Sequence, residues 1–487
     1  MPVFSLPGQG GIGGFTDEAY RFIDFLAESG QKYWQILPLG PTGYGDSPYQ
    51  SYSIYAGNPY FISLEELNRN GLITDDELAA ADDGVNPEFV DYGRLYNERL
   101  ALLRKAYERS RSCQDAGFSA FREEQSAWLH DYAVFMAVKK HFNNVSSMDW
   151  PEDVRRRDEA SMSTLCAELE DEILFNEYVQ YLFFGQWDRL HKYAESRGIG
   201  IIGDIPIYVS EDSADVWMHP ELFKMGENGR PAVVAGCPPD RFAAEGQYWG
   251  NPVYRWDYHK ETGYRWWIDR LRYCSRLYDV TRIDHFRGFD SYFEIPAGES
   301  ALKGYWAPGP GIELFRAVRE ELPDTRIIAE DLGYITDSVR ELIVETGFPN
   351  MKVLEFAFDS RDSSGKDNYL PYNYGKNCVV YTGTHDNETL VGWMDNILPE
   401  ELYEVQRYLD VFTDDHRMLA GKVIGLAHSS TANLCIIPIQ DYLKLGNEAR
   451  INHPSTVGTN WTWRVKASDL TENLSSEIRE VTERYGR

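Results

Sequence analysis

Four short apolar runs of this 487-residue chain close on acid, and that recurrence limits the fold more than any other feature. Asp204 follows GIIG, Asp284 follows TRI, Glu330 and Asp331 follow RIIA, and Asp386 follows TGTH. The runs are Gly200 to Ile207, Val280 to His285, Thr325 to Glu330 and Cys378 to Thr384, with two further runs, Val353 to Phe358 and Ala432 to Ile439, in the same half. Stretches at 3.6-residue spacing, such as Glu313 to Glu321 and Asp337 to Thr346, separate several of them. Short strands alternating with helices build a parallel sheet. Lys32 to Leu39 and Tyr60 to Leu64 bring the candidate strands to eight. The rhythm predicts an α/β chain folded as a (β/α)8 TIM barrel, with an open doubly wound sheet as the alternative. A barrel uses about 250 residues. The surplus is expected in large, mostly helical insertions of one catalytic barrel over residues 1–487: a helical, acidic one at about 65–165 and a loop-rich one at about 211–275 that covers the site.

The strand ends carry the chemistry. Alternate side chains of a strand share a face, so Arg282 sits beside Asp284 and keeps it ionised, as a nucleophile requires. Glu330 follows Ile327, Ile328 and Ala329, a setting that raises a carboxyl into the range of a general acid. Asp386 supplies a third carboxylate, and His285 and His385 supply donors to hydroxyl groups. In a barrel, residues from different strands converge at their carboxyl ends. Two carboxyl groups, one ionised and one protonated, are what cleavage of a glycosidic bond needs. The same acids could instead hold Mg²⁺ in an enolase-like barrel, but these strand tips lack a lysine base.

Composition narrows the partners. The net charge is −29, which disfavours nucleic acid and anionic membranes. Aromatic residues make up 14%. Tyr44, Tyr49, Tyr52, Tyr55, Phe242, Tyr248 and Trp249 lie in two loops outside any apolar period, and flat rings with polar edges suit sugar faces. Of these, Tyr49 and Trp249 are the candidate ligand contacts. The six cysteines are scattered without CxxC spacing, which points to thiols in a reducing compartment and away from a zinc site. MPVFSLPGQG has no basic then apolar leader pattern, and no run reaches about 18 apolar residues. A cytoplasmic protein without membrane spans is expected. Gly8 to Gly14 lacks the preceding strand and following lysine of a phosphate loop, so no cofactor is expected.

Six motifs in order resemble the 4-α-glucanotransferases of the α-amylase superfamily. They are GYGDSPYQSYS with AGNPY (43–60), GDIPIYVSEDSADVW (203–217), PPDRF followed by GQYWGNPVY (238–254), RIDHFRGF (282–289), AEDLG (329–333) and THDNET (384–389). The resemblance spans essentially the whole chain. It implies Asp284 as nucleophile, Glu330 as general acid/base and Asp386 as transition-state stabiliser. It further implies that Arg282, His285, His385 and Asp204 line the subsite of the cleaved sugar, with Ser47 and Tyr49 as loop contacts there. Trp249 would belong to the loop covering the acceptor side, and Asp359 and Asn452 would be additional substrate contacts. Two departures stand out. Ser455 occupies a position where glycine is usual, and Cys237 replaces an apolar residue before the paired prolines.

The implied activity moves a segment of an α-1,4-glucan or maltooligosaccharide donor to the 4-hydroxyl of glucose or another glucan. The route is a retaining double displacement through a covalent glycosyl-enzyme, with no metal or cofactor. An α-amylase-like retaining hydrolase shares the first half-reaction and is the alternative, because residue types alone do not decide whether water or a sugar accepts. A catalytically silent glycan-binding barrel is a further alternative, disfavoured by the intact trio of acids.

Overall fold

The computed structural model describes residues 1–110, 116–239, 245–360 and 366–487. Cys113 and Phe242 lie outside the described residues. Seven strands form one sheet, six of them within the expected apolar runs: β1 (Tyr33–Gln35), β2 (Gly200–Pro206), β5 (Val280–Asp284), β8 (Ile327–Ala329), β9 (Asn350–Val353), β10 (Cys378–Tyr381) and β11 (Leu434–Ile436). A second sheet holds β3 (Val233–Cys237), β4 (Gln247–Pro252), β6 (Ser291–Pro296) and β7 (Tyr305–Pro308).

The first sheet runs β1-β2-β5-β8-β9-β10-β11, in chain order without reversal, and every pairing is parallel. A doubly wound sheet reverses order at its switch point. This one does not, and it curls until its edges approach. The Tyr381 hydroxyl donates to Oε1 of Gln35 at 2.9 Å, from β10 to β1. A cavity of about 70 Å³ between β1 and β11 is lined by Met1, Gln35, Tyr381 and Ile436. The sheet is the barrel expected from the sequence, with seven strands among the described residues.

The eighth expected strand, Tyr60 to Leu64, is helical. Pro59–Phe61 is a 3₁₀ turn and Leu64–Arg69 an α-helix. Cap chemistry prevails over the apolar run: Asn58 Oδ1 accepts from the Tyr60 N–H at 3.0 Å and Ser63 Oγ from the Glu66 N–H at 3.2 Å. The run Val353 to Phe358 is also displaced. Its strand lies earlier, at β9, and Leu354–Phe358 coils into a 3₁₀ turn. Leu354, Ala357 and Phe358 are apolar because they pack with Leu390, Trp393, Leu419 and Val423 in a separate core cluster.

The antiparallel sheet, in the order β4-β3-β6-β7, was not expected. Among the described residues, 64–196 carry helices and no strand. The longest, Glu170–Ser196, buries Phe183, Trp187 and Leu190. Phe15 meets Phe183 and Trp187 at 5.0 and 5.5 Å between ring centres. The first helix, Asp17–Glu28, buries Ala19, Phe22, Ile23 and Leu26 as its spacing predicts. Thr16 occupies its N-cap position, yet its side chain accepts no capping bond. No disulfide joins the five described cysteines. No described helix is long and apolar enough to cross a membrane.

Candidate active site

Register brings the acids together. Asp204 on β2 pairs with Arg282 on β5, and Ile283 pairs with Ala329 on β8. Glu330, one residue beyond Ala329, therefore stands level with Asp284 on the neighbouring strand. Adjacent strands lie about 4.8 Å apart. Arg282 is 3% exposed and pairs with two carboxylates, Asp204 and, at 3.1 Å, Asp284. The same guanidinium nitrogen, Nη1, reaches both carboxylates.

Asp204 is 0% exposed, closed in by Arg282 and by the Tyr49 hydroxyl, which donates to Oδ2 at 2.9 Å. Asp284 is 32% exposed and Asp386 48% exposed at their side chains. Glu330 is 8% exposed and accepts two backbone bonds, from the His285 N–H at 2.6 Å and the Leu332 N–H at 2.7 Å. Those bonds fix Glu330 to the turn that follows Asp284. That turn is tight: His285 has φ 54° and ψ 46°, a left-handed conformation uncommon for a residue with a side chain.

The electrostatics separate the two carboxyls. Burial lifts Asp284 to about 6, with Arg282 opposing the lift and Asp204 and Asp386 adding to it. Burial first and the Asp284 charge second lift Glu330 further, to about 8. Each charge opposes the other, so the pair favours one ionised and one protonated member. Burial also pushes His285 down to about 3, which leaves it a neutral imidazole.

The third acid is held from the far end of the chain. Asn452 Nδ2 donates to Asp386 Oδ1 at 2.6 Å, and the Asn452 N–H donates to the His385 carbonyl at 3.1 Å. Arg450 donates to the carbonyls of Asp386 and Asn452, both at 2.8 Å. His385 Nε2 lies 3.4 Å from Asp386 Oδ1. Its ring stacks on Tyr49 at 5.2 Å between ring centres. Ser455 takes φ 65°, so a serine adopts the backbone for which glycine is better suited. The Asn452 contact with Asp386 forms nonetheless.

Trp249, on β4, meets the His285 ring edge-on at 4.8 Å, and its Nε1 donates to Gln247 Oε1 at 2.9 Å. Ser47 acts within its loop, its Oγ accepting from the Tyr49 N–H at 3.3 Å. Asp359 follows the 354–358 turn and precedes Ser360, whose N–H and hydroxyl donate to Glu401 Oε1 at 2.8 and 2.6 Å. Among the described residues, no group of three or more His, Cys, Asp or Glu side chains has the arrangement of a metal site.

The sequence reading missed Tyr208, Trp461 and Arg450. Tyr208 packs its ring 6.4 Å from Trp249 and 6.5 Å from His285. Its place two residues past the end of β2 was the available signal. Trp461 meets Tyr49 at 6.0 Å and His385 at 5.8 Å. No local pattern marks Trp461 or Arg450, because what defines them is contact with residues far away in sequence.

A family model described as 4-alpha-glucanotransferase matches residues 1–471. The 4-alpha-glucanotransferase of Clostridium butyricum is 47% identical over 491 residues, covering 100% of both chains. That of Thermus thermophilus is 44% identical, covering 98% of this chain and 96% of the relative. The solved structure of the amylomaltase from Streptococcus agalactiae in complex with acarbose matches with a TM-score of 0.96 at 42% identity, covering 100% of this chain and 98% of that one.

Proposed function

The chain belongs to the 4-α-glucanotransferase family, and from that membership we propose how its own residues carry out the transfer. It is a glycosyl-transferring enzyme on a TIM barrel. In the proposed first step, Asp284 attacks the anomeric carbon of an α-1,4-glucan while Glu330 protonates the departing 4-oxygen. The observation that carries this assignment is the level placement of Glu330 beside Asp284 on adjacent strands, with the carboxyls lifted unequally. A retaining enzyme carries its two carboxyl groups about 5–5.5 Å apart, and acids at the ends of neighbouring strands are suited to that arrangement. Glu330 then acts as base toward the 4-hydroxyl of glucose or a second glucan.

Asp386, steered by Asn452, is the proposed stabiliser of the oxocarbenium-like transition state. The near-complete burial of Asp204 favours a supporting role, holding Arg282 and through it Asp284. His285, His385 and Tyr49 are proposed to bind hydroxyls of the sugar at the cleavage point, with Ser47 shaping the Tyr49 loop. Asp359 and Asn452 complete the proposed substrate contacts. Acarbose, present with the Streptococcus agalactiae relative, is a proposed ligand of the same site. We place residues 65–165 and 211–275 as insertions of one barrel, and the protein in a reducing cytoplasm.

Transfer prevails over hydrolysis where a bound acceptor excludes water and is held in attacking geometry. Trp249, packed against His285, is the proposed wall on the acceptor side. Pure protein incubated with maltotriose should redistribute it into longer and shorter oligosaccharides with little rise in free reducing ends. A steady rise in reducing ends without longer products would replace this reading with a retaining hydrolase.

A further inference from the structure

Behind the turn that presents Asp386 lies a buried carboxyl that the proposed reaction does not use. Glu355 is 5% exposed, in the 3₁₀ turn after β9. Its Oε2 accepts from Asn387 Nδ2 at 3.0 Å, and its Oε1 has no hydrogen-bond partner. Gly383 lies against it so closely that a Cβ there would stand 2.7 Å from Oε1. Asn387 passes the contact on. Its Oδ1 accepts from both the Thr384 N–H and the Thr384 hydroxyl, each at 2.9 Å. Thr384 Oγ1 in turn accepts from the Asp386 N–H at 3.3 Å.

We propose that Glu355 is a positioning residue for the transfer reaction, setting Asp386 through Asn387 and Thr384 from a neutral, protonated carboxyl. The proposal rests on the assignment of Asp386 as stabiliser. Among the described residues, no cation pairs with Glu355. Around it stand Asp441, itself bonded to Thr382 and Leu390, and Glu388, bonded to Asn396 and Asn447. Arg450 is the nearby cation, and it lies 3.9 Å from Glu388. An unpaired charge buried there would be costly, whereas a neutral carboxyl accepts the Asn387 bond without that cost. Burial, with the charges of Asp441 and Glu388 next, acts in the same direction.

A neutral carboxyl and an amide have nearly the same shape, which makes the inference testable. Glu355→Gln, Glu355→Ala, Asn387→Ala and Asp386→Asn would be compared by kcat and KM for maltotriose disproportionation, with thermal unfolding as the folding check. The expected result is kcat for Glu355→Gln within about twofold of the parent, and a loss of about tenfold or more for Glu355→Ala at nearly unchanged KM, as for a lost transition-state contact. Asn387→Ala should reproduce that loss from a half-buried position that tolerates truncation. A Glu355→Ala/Asn387→Ala double variant should be no worse than either single one, since both act along one route. Unchanged kcat in both alanine variants, or a Glu355→Gln loss as deep as that of Glu355→Ala, would overturn the proposal. If Asp386→Asn itself keeps full kcat, the stabiliser assignment fails instead, and the two failures are told apart.

Discussion

At the residue scale the decisive contrast is between two neighbouring carboxyls in unlike surroundings. Arg282 touches Asp284 and leaves it exposed enough to reach a substrate, while Glu330 is nearly enclosed. This fixes the sign of the pH dependence. As the proposed nucleophile, Asp284 has to be ionised, so kcat/KM should fall as pH drops through its raised value near 6. As the proposed general acid, Glu330 has to be protonated, so kcat/KM should fall as pH rises through its value near 8. A bell-shaped profile is expected, with both limbs belonging to the coupled pair and displaced upward from ordinary carboxylates near about 4. An acid limb near 4 with a plateau into strongly alkaline pH would contradict the assignment. The residues legible in the sequence are those next to strand ends, where chemistry sits within a few positions of an apolar run. Trp461 and Arg450 were illegible because their neighbours, His385 and Asp386, lie far away along the chain.

At the element scale, run length identified β2, β5, β8 and β10 most directly, because their residues are buried on both faces and read as continuous apolar runs. The same logic failed at Tyr60–Leu64, where Pro59 and two cap residues impose helix, and at Leu354–Phe358, where burial comes from a second core. The antiparallel strands escaped notice for another reason. VVAGC, QYWGNP and YWAP carry glycine, proline and asparagine, which are depleted in strands, and show no clean alternation. Yet β4 places Trp249 on His285. Replacing Trp249 with alanine should leave cleavage running while a larger share of product appears as free reducing ends. An unchanged ratio of transfer to hydrolysis would remove β4 from the acceptor side. The loop bearing Tyr49 depends on a close approach as well. A Cβ on Gly57 would sit 2.2 Å from the Phe183 ring, and the Gly57 N–H donates to Gln180 Oε1 at 2.7 Å. Gly57→Ala should therefore lower stability by about 1–3 kcal/mol through overpacking, read as a drop in Tm. Wild-type Tm would show that helix Glu170–Ser196 does not clamp this loop.

At the scale of the whole molecule, one site draws on nearly the full length of the chain. Tyr49 comes from the first loop after β1, Asp284 and Glu330 from the middle strands, Asp386 from the turn after β10, and Asn452 from beyond β11. A curled sheet in strict chain order is what lets such distant segments meet, because its strand ends all open to one face. The proposed double displacement requires that Asp284 become covalently linked to the sugar. Its most direct test is mass spectrometry of the Glu330→Gln variant after incubation with an α-maltosyl fluoride. Fluoride leaves without an acid, but release of the glycosyl group still needs the missing base, so the intermediate should accumulate. The expected result is a mass gain of one maltosyl group, mapped to the peptide carrying Asp284 and absent when Asp284→Asn is added. A gain mapped to another residue, or one that persists in the double variant, would contradict the account.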